Sequence, residues 1–313
     1  MREEIIVSGR LNPHIDPILH IWGWEIPAYL FLGGLAAGIL FFASYFYLTG
    51  KENDFKASIK IAPMFTPFIL SIGLLFLFID LSHKLYFWRL YTTIRIESPM
   101  SWGAWILMIV TPLSIIWSAT YLKEIFPKWD WKFKIIDNLL AWFTKQRKPM
   151  AWILLFSSII LGIYTGILLS AFNARPLWNT SILGPLFLTS GLSAGAAFIM
   201  MISKNKIERT LYSKIDLGII GVEMFFIVHM FMGFLASSQA QIDAANLFLG
   251  GEYTLPFWVF VVFLGMIVPA ILEIMELRGK HIPAYLPSIL IISGSLLLRL
   301  IIVYAGQASR YLY

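Results

Sequence analysis

Eight long apolar runs, separated by short charged segments, constrain this chain more than any other feature. They cover roughly residues 26–48, 61–81, 101–122, 149–171, 181–202, 215–236, 255–275 and 285–304. Each reaches the length of about 20 residues that a helix needs to cross a hydrocarbon core. In lipid, a lone spanning segment satisfies its backbone N–H and C=O groups only as a helix, so the runs predict eight transmembrane helices. Composition agrees: of 313 residues, 58% are hydrophobic and 13% charged, about half the charge density of a soluble domain. The expected fold is an all-α membrane protein.

The placement of Lys and Arg sets the expected orientation, because cytoplasmic loops carry the excess of them. With the amino terminus outside, the outer segments hold 7 and the inner loops 16, while Arg299 lies within the last run. Both termini are therefore expected outside the cytoplasm. Residues 1–25 carry Arg2, Glu3, Glu4, Arg10 and Asp16, without the apolar core of a cleavable signal, and read as an outer amino-terminal segment. Residues 305–313 read as an outer tail. In the inner loop 123–148, Ile136, Leu139, Leu140 and Phe143 recur at helical spacing between Trp129 and Trp131 on one side and Lys145, Arg147 and Lys148 on the other. That pattern predicts an amphipathic helix on the inner leaflet. A net charge of +6 suits anionic lipid and gives no ground for nucleic-acid binding.

The first run contains Gly34-Leu35-Ala36-Ala37-Gly38 and the fifth Gly191-Leu192-Ser193-Ala194-Gly195, an echo at close to half the chain length. The two helices run in the same direction, so the echo suggests two four-helix bundles, 26–171 and 172–304, related by an axis along the membrane normal. Gly34/Gly38, Gly191/Gly195 and Gly162/Gly166 are also Gly-x-x-x-Gly pairs of the kind that bring membrane helices together. Ordinary packing accounts for such pairs equally well.

The absence of cysteine excludes thiolate-ligated iron–sulfur clusters, c-type haem attachment and Cys-based zinc sites within the chain. Attention falls on ionisable side chains in the apolar runs, which are costly unless paired, hydrated or used. Asp80 ends the second run with His83 three residues on, opposing the helix dipole at that end. Tyr164 lies in the outer third of the fourth run, followed by Arg175-Pro176-Leu177-Trp178-Asn179. His14 and His20 precede the first run beside Trp22 and Trp24. His20, Asp80, His83, Tyr164 and Arg175 thus share the outer face. Trp22, Trp24, Trp88, Trp102 and Trp178 are equally read as an interfacial aromatic belt, and Arg175 as a snorkelling helix-end residue. In the second half, Glu223, His229, Glu273 and Arg299 are candidates for a proton path, or for a structural Glu–Arg pair.

In order along the chain, several segments resemble the NrfD/PsrC family, the membrane anchor of polysulfide reductase and related complexes. They are His20-x-Trp22-x-Trp24-x-Ile26-x-x-Tyr29 through Gly38, Asp80-Leu81-x-His83, Trp88-Arg89, Ser98-Pro99-Met100-Ser101-Trp102-Gly103, Tyr164-Thr165-Gly166 and Ala174-Arg175-Pro176-Leu177-Trp178-Asn179. The resemblance implies an eight-helix subunit of a prokaryotic inner membrane that binds a quinone or quinol, menaquinone or ubiquinone. It implies no haem, cluster or metal in this chain. It implies an iron–sulfur electron-transfer partner on the outer face and a molybdenum-containing catalytic subunit beyond it; a dimer of such complexes stays open. His20 and Tyr164 match the family's head-group ligands, Asp80 its acidic residue after helix two and Arg175 its basic residue after helix four.

Quinone chemistry moves two electrons and two protons, so a site needs donors to the carbonyls and groups that pass protons. An imidazole titrates near neutral pH, a phenol donates without charge and a carboxylate exchanges protons with water. Asp80, His83 and Tyr164 are therefore the expected reactive set, with His20, Tyr164, Asp80 and Arg175 around the head group. Two other readings compete. A haem b anchor needs well-placed histidines, whereas only His229 of the five lies well inside a run. A secondary transporter also uses repeats and buried charge, but here the polar cluster lies at one face and the echo is parallel.

Overall fold

In the computed structural model, residues 22–128 and 134–311 are described. Among them eight helices are long and apolar enough to cross a membrane: α1 Glu25–Leu48, α2 Ala57–Asp80, α3 Pro99–Ile125, α4 Arg147–Ser170, α5 Leu183–Ile202, α6 Lys206–Leu235, α7 Pro256–Leu277 and α8 Tyr285–Ala308. The described residues contain no strand. The chain is an all-helical, multi-pass membrane protein, as its hydropathy requires.

The largest difference from expectation is α6, which begins at Lys206 rather than near 215. Its first turns carry Glu208, Arg209 and Lys214, and hydropathy excludes them. The helix nevertheless continues because the Asn205 side chain accepts from the Ile207 amide at 3.0 Å, as an N-cap should. Glu208 is buried beneath that turn. It accepts from the Ser58 amide at 2.8 Å, the Ser58 hydroxyl at 2.9 Å, the Ser203 hydroxyl at 2.7 Å and the Ala57 amide at 3.3 Å. A carboxylate thus meets the amino end of α2, where the helix dipole favours it.

Of the eight spans, α1 is the most enclosed; it packs against α2, α4, α5 and α8, while α5 also packs against α4, α6 and α8. The crossing of α1 and α5 is made by the echoed glycines. A Cβ on Gly38 would strike the backbone of Gly191 and Gly195, and one on Gly191 or Gly195 would strike that of Gly34 or Gly38. Backbone meets backbone there, which no larger residue permits. Gly166 plays the same part between α4 and α5.

Where α3 ends and α4 begins, the helices are joined by Arg147, which is buried. Its guanidinium donates to the Thr120 carbonyl at 2.5 Å and to Glu124 at 2.8 Å, and lies 3.7 Å from the centre of the Tyr121 ring. Beside it, the surface helix Lys134–Lys145 has no buried residue and half-covers Ile136, Leu140 and Phe143. Trp129 and Trp131 lie outside the described residues. The aromatic belt divides: Trp24, Trp88 and Trp102 are exposed, but Trp178 is buried and donates its indole N–H to Ile302 O at 2.9 Å.

Candidate functional site

Where α1 and α3 begin and α2 and α4 end lies a cavity of about 160 Å³. Its polar lining comes from Tyr29, Asp80, Tyr91, Tyr164 and Trp22; Leu77, Met100, Ala104, Leu107 and Leu168 supply much of the rest. A mostly apolar hollow with a few convergent polar groups is the usual form of a small-molecule site.

Each wall has a local cause. Tyr164 projects from α4 toward α3, where Gly103 leaves room for its ring: a Cβ on Gly103 would overlap the phenol. Tyr29, on α1, meets Tyr164 hydroxyl to hydroxyl. Both rings are buried, so the pair presents neutral donors in an apolar setting. Trp22 is pinned at both backbone groups by Gln307 of α8, its N–H donating at 2.9 Å and its C=O accepting at 3.0 Å. Its ring packs edge-on to Phe172, with centroids 5.1 Å apart. Tyr91 comes from the short helix Arg89–Thr92 between α2 and α3. Burial pushes its phenol above the ordinary range.

Asp80 is half-buried and borders two spaces at once, the cavity and a groove of about 620 Å³ that His83 also lines. Its charged neighbour is Glu25, the first residue of α1. A carboxylate in that position borders both the hollow and the groove that the exposed His83 lines.

The structure brings Tyr164 and Asp80 to one cavity, with His83 adjoining. Arg175 stands apart from the cavity lining. Its Nη1 donates to the Ser309 carbonyl at 3.0 Å, just past the end of α8, and the Leu177 amide donates to Ser309 Oγ at 3.3 Å. The run from Arg175 to Trp178 therefore docks on α8 and supports the wall formed by Trp22. His20 lies outside the described residues, as does His14; Trp22, two positions after His20, lines the hollow.

The sequence pattern that defines the family "Polysulphide reductase, NrfD" matches residues 12–309. This chain belongs to the NrfD family. It is 30% identical over 303 residues to Protein NrfD of Escherichia coli, covering 92% of this chain and 95% of that one. The C component of the polysulfide reductase of Wolinella succinogenes is 32% identical over 302 residues, covering 92% and 94%. The C component of the selenate reductase of Mesobacillus selenatarsenatis is 25% identical over 313 residues, covering 90% and 73%.

This NrfD-family protein has a second polar constellation, in the core of α5, α6, α7 and α8. Arg299 is fully buried. Its Nη1 donates to Ser295 O at 2.8 Å, Ser295 Oγ at 2.7 Å and Ser190 Oγ at 3.3 Å, while Nη2 donates to Phe187 O at 3.0 Å. Gly34 of α1 leaves the space that this guanidinium fills. Glu223 faces Ser190 and Arg299. Glu273 lies with Asp216, a residue that hydropathy alone passes over because it sits where the charged start of α6 meets its apolar run. His229 is elsewhere: its exposed ring stacks on Phe225 with centroids 5.7 Å apart. The described histidines His83, His229 and His281 are all exposed.

Tyr29, named within the first segment of the resemblance but given no role there, and Tyr91, which the sequence pattern does not single out, are the other cavity residues. Both fall within or beside the segments that carry the family resemblance, at the same cavity as Asp80 and Tyr164. That location is the one signal available for them. Among the described residues no group of three or more His, Cys, Asp or Glu could hold a metal ion.

Proposed function

We propose that this chain is the quinone- or quinol-reactive membrane subunit of a prokaryotic respiratory reductase complex, lying in the inner membrane with both termini outside. The observation that carries the reading is the outer cavity, where the phenols of Tyr164 and Tyr29 meet beside Asp80 in an apolar hollow. These residues fit a quinone head group: neutral donors for carbonyl oxygens, apolar walls for the ring and a carboxylate at the water boundary. A bound quinone supplies the two-electron chemistry itself. The protein's share is position and protons. Tyr164, held by Gly103 and Tyr29, donates a hydrogen bond at one end of the site, and His20 is kept as a second head-group ligand. Asp80 exchanges protons with the outer groove through His83. Arg175 holds the wall rather than the ligand.

Electrons pass to or from an iron–sulfur partner docked on the outer face, and onward to a molybdenum-containing catalytic subunit. The relatives named as components of a polysulfide reductase and a selenate reductase support membership in a multi-chain reductase. The reciprocal glycine crossing of α1 and α5 supports α1–α4 and α5–α8 as two related bundles. In the second bundle Glu273, Glu223 and Arg299 form the buried part of a proton route that accompanies turnover.

Tyr164→Phe tests the site. In the assembled complex we expect quinol-linked electron transfer to fall at least about tenfold, the equivalent of about 1.4 kcal/mol, with assembly and thermal midpoint retained. Unchanged transfer in that variant would reject Tyr164 as a head-group ligand.

A further inference from the structure

In the core of the second half, three acids, Asp216, Glu223 and Glu273, are buried with one base, Arg299. The base is already engaged: Arg299 compensates Glu223 through Ser190. Asp216 and Glu273 face each other across α6 and α7, with Ser193 of α5 beside Asp216. Among the described residues none of their four carboxylate oxygens has a hydrogen-bond partner. The contrast with Glu208, two turns before Asp216 on α6, is informative, because that buried carboxylate receives four hydrogen bonds. Where this fold buries a carboxylate for structure, it surrounds the group with donors. The remaining charged neighbours offer no help: Glu276, three residues after Glu273, is paired with Arg209 at 2.6 Å, and Lys214 is exposed.

Two adjacent carboxylates with no cation paired to them, and with a serine hydroxyl as the one donor named beside them, cannot both be ionised in a low-dielectric interior. We infer that Asp216 and Glu273 form a proton-holding acid pair that retains at least one proton between them at neutral pH. A route leads out of the pair. Ser193, beside Asp216, lines a cavity of about 10 Å³ together with Ser190, Ser295 and Glu223, roughly the size that admits a single water. A proton leaving the pair passes to the Ser193 hydroxyl, which hands its own to that water, and the water protonates Glu223. The pair gains one negative charge and Glu223 loses one. The inference deepens the proton-route part of the proposed function and owes nothing to the quinone site.

The test uses the full chain in its complex, reconstituted in phospholipid vesicles and examined by infrared spectroscopy without quinol. Wild type should show the carbonyl stretch of a buried protonated carboxyl at neutral pH, shifted in heavy water. Asp216→Asn and Glu273→Gln should each remove or shift that band. A thermal-melting series checks the same point should the single variants assemble poorly. The wild-type midpoint should fall as pH is raised above neutral, because the folded state holds a proton that the unfolded state releases. Asp216→Asn/Glu273→Gln should lose that slope. A band and a slope indifferent to both substitutions would overturn the proposal. So would a band that is absent in sodium buffer and present without it, which would make the pair a cation site. Because no turnover is involved, a missing band condemns the pair alone, whereas normal bands with no proton movement during quinol oxidation would condemn the route.

Discussion

Between α1, α2, α3 and α4, Tyr29, Tyr164 and Asp80 stand beside a hollow of about 160 Å³, and Asp80 also borders the groove that His83 lines. In the core of α5–α8, Asp216, Glu223, Glu273 and Arg299 are buried, and of these Glu223 borders a space of about 10 Å³. The first region uses neutral phenols and leaves its carboxylate at the water boundary, so it needs no buried counter-charge. The second carries full charges out of reach of water, so it must balance them internally or hold protons. Polar groups near the surface are thus free to serve a ligand, whereas those in the core are tied to one another. Substitutions in the two regions should therefore fail in different ways.

The largest effect is expected in the core. Arg299→Met removes the one base facing Glu223 and should destabilise the folded chain by about 3–5 kcal/mol, the usual consequence of leaving a buried charge unpaired. Adding Glu223→Gln should restore most of that loss, as read from thermal unfolding in detergent. If Arg299→Met alone melts like wild type, the balance described for the core is wrong.

A smaller effect is expected at the cavity wall, and on turnover rather than folding. Gly103→Ala places a methyl group where the Tyr164 phenol lies, so the ring must shift. Quinol-linked electron transfer should drop by about tenfold or more, since an ångström of misplacement is costly in a positioned site. Thermal stability should change by no more than the roughly 1–3 kcal/mol typical of overpacking. Steady-state kinetics with a soluble quinol analogue, beside a melting curve, separates the two.

The smallest effect belongs to Tyr91. Its phenol is raised by burial, so it stays protonated through neutral and mildly alkaline pH and adds no titration of its own there. Tyr91→Phe should lower turnover no more than about tenfold, the loss of one neutral hydrogen bond. The shape of the pH–rate profile should be unaltered from about pH 6 to 9. A new or vanished limb in that range would show that Tyr91 titrates during the reaction.

How much could be read in advance varied along the chain. Asp80 and Tyr164 were legible because an ionisable group at the end of an apolar run, and a tyrosine within one, stand out against their neighbours. Tyr29 was not, since a tyrosine inside an apolar helix reads as packing until another helix brings a second phenol to it. Arg175 was legible as a polar residue at the outer face but not as a support, because the carbonyl it binds belongs to Ser309, 134 residues away. His229 stood out as an ionisable residue mid-helix, and only the rotation of α6 places it on the exposed side.

What the amino-acid order determined by itself is the set of spans, while the tertiary structure decided which of their glycine pairs meet. Hydrocarbon thickness and backbone hydrogen bonding leave an apolar stretch of about twenty residues little alternative to a membrane helix, and small residues at four-residue spacing permit helix backbones to touch. The tertiary structure alone decided which polar groups meet. Asp216 finds Glu273, Tyr29 finds Tyr164 and Arg299 fills the space left by Gly34 because of how neighbouring helices are rotated about their axes. In lipid that rotation is set by packing between helices, which periodicity along a single segment does not encode.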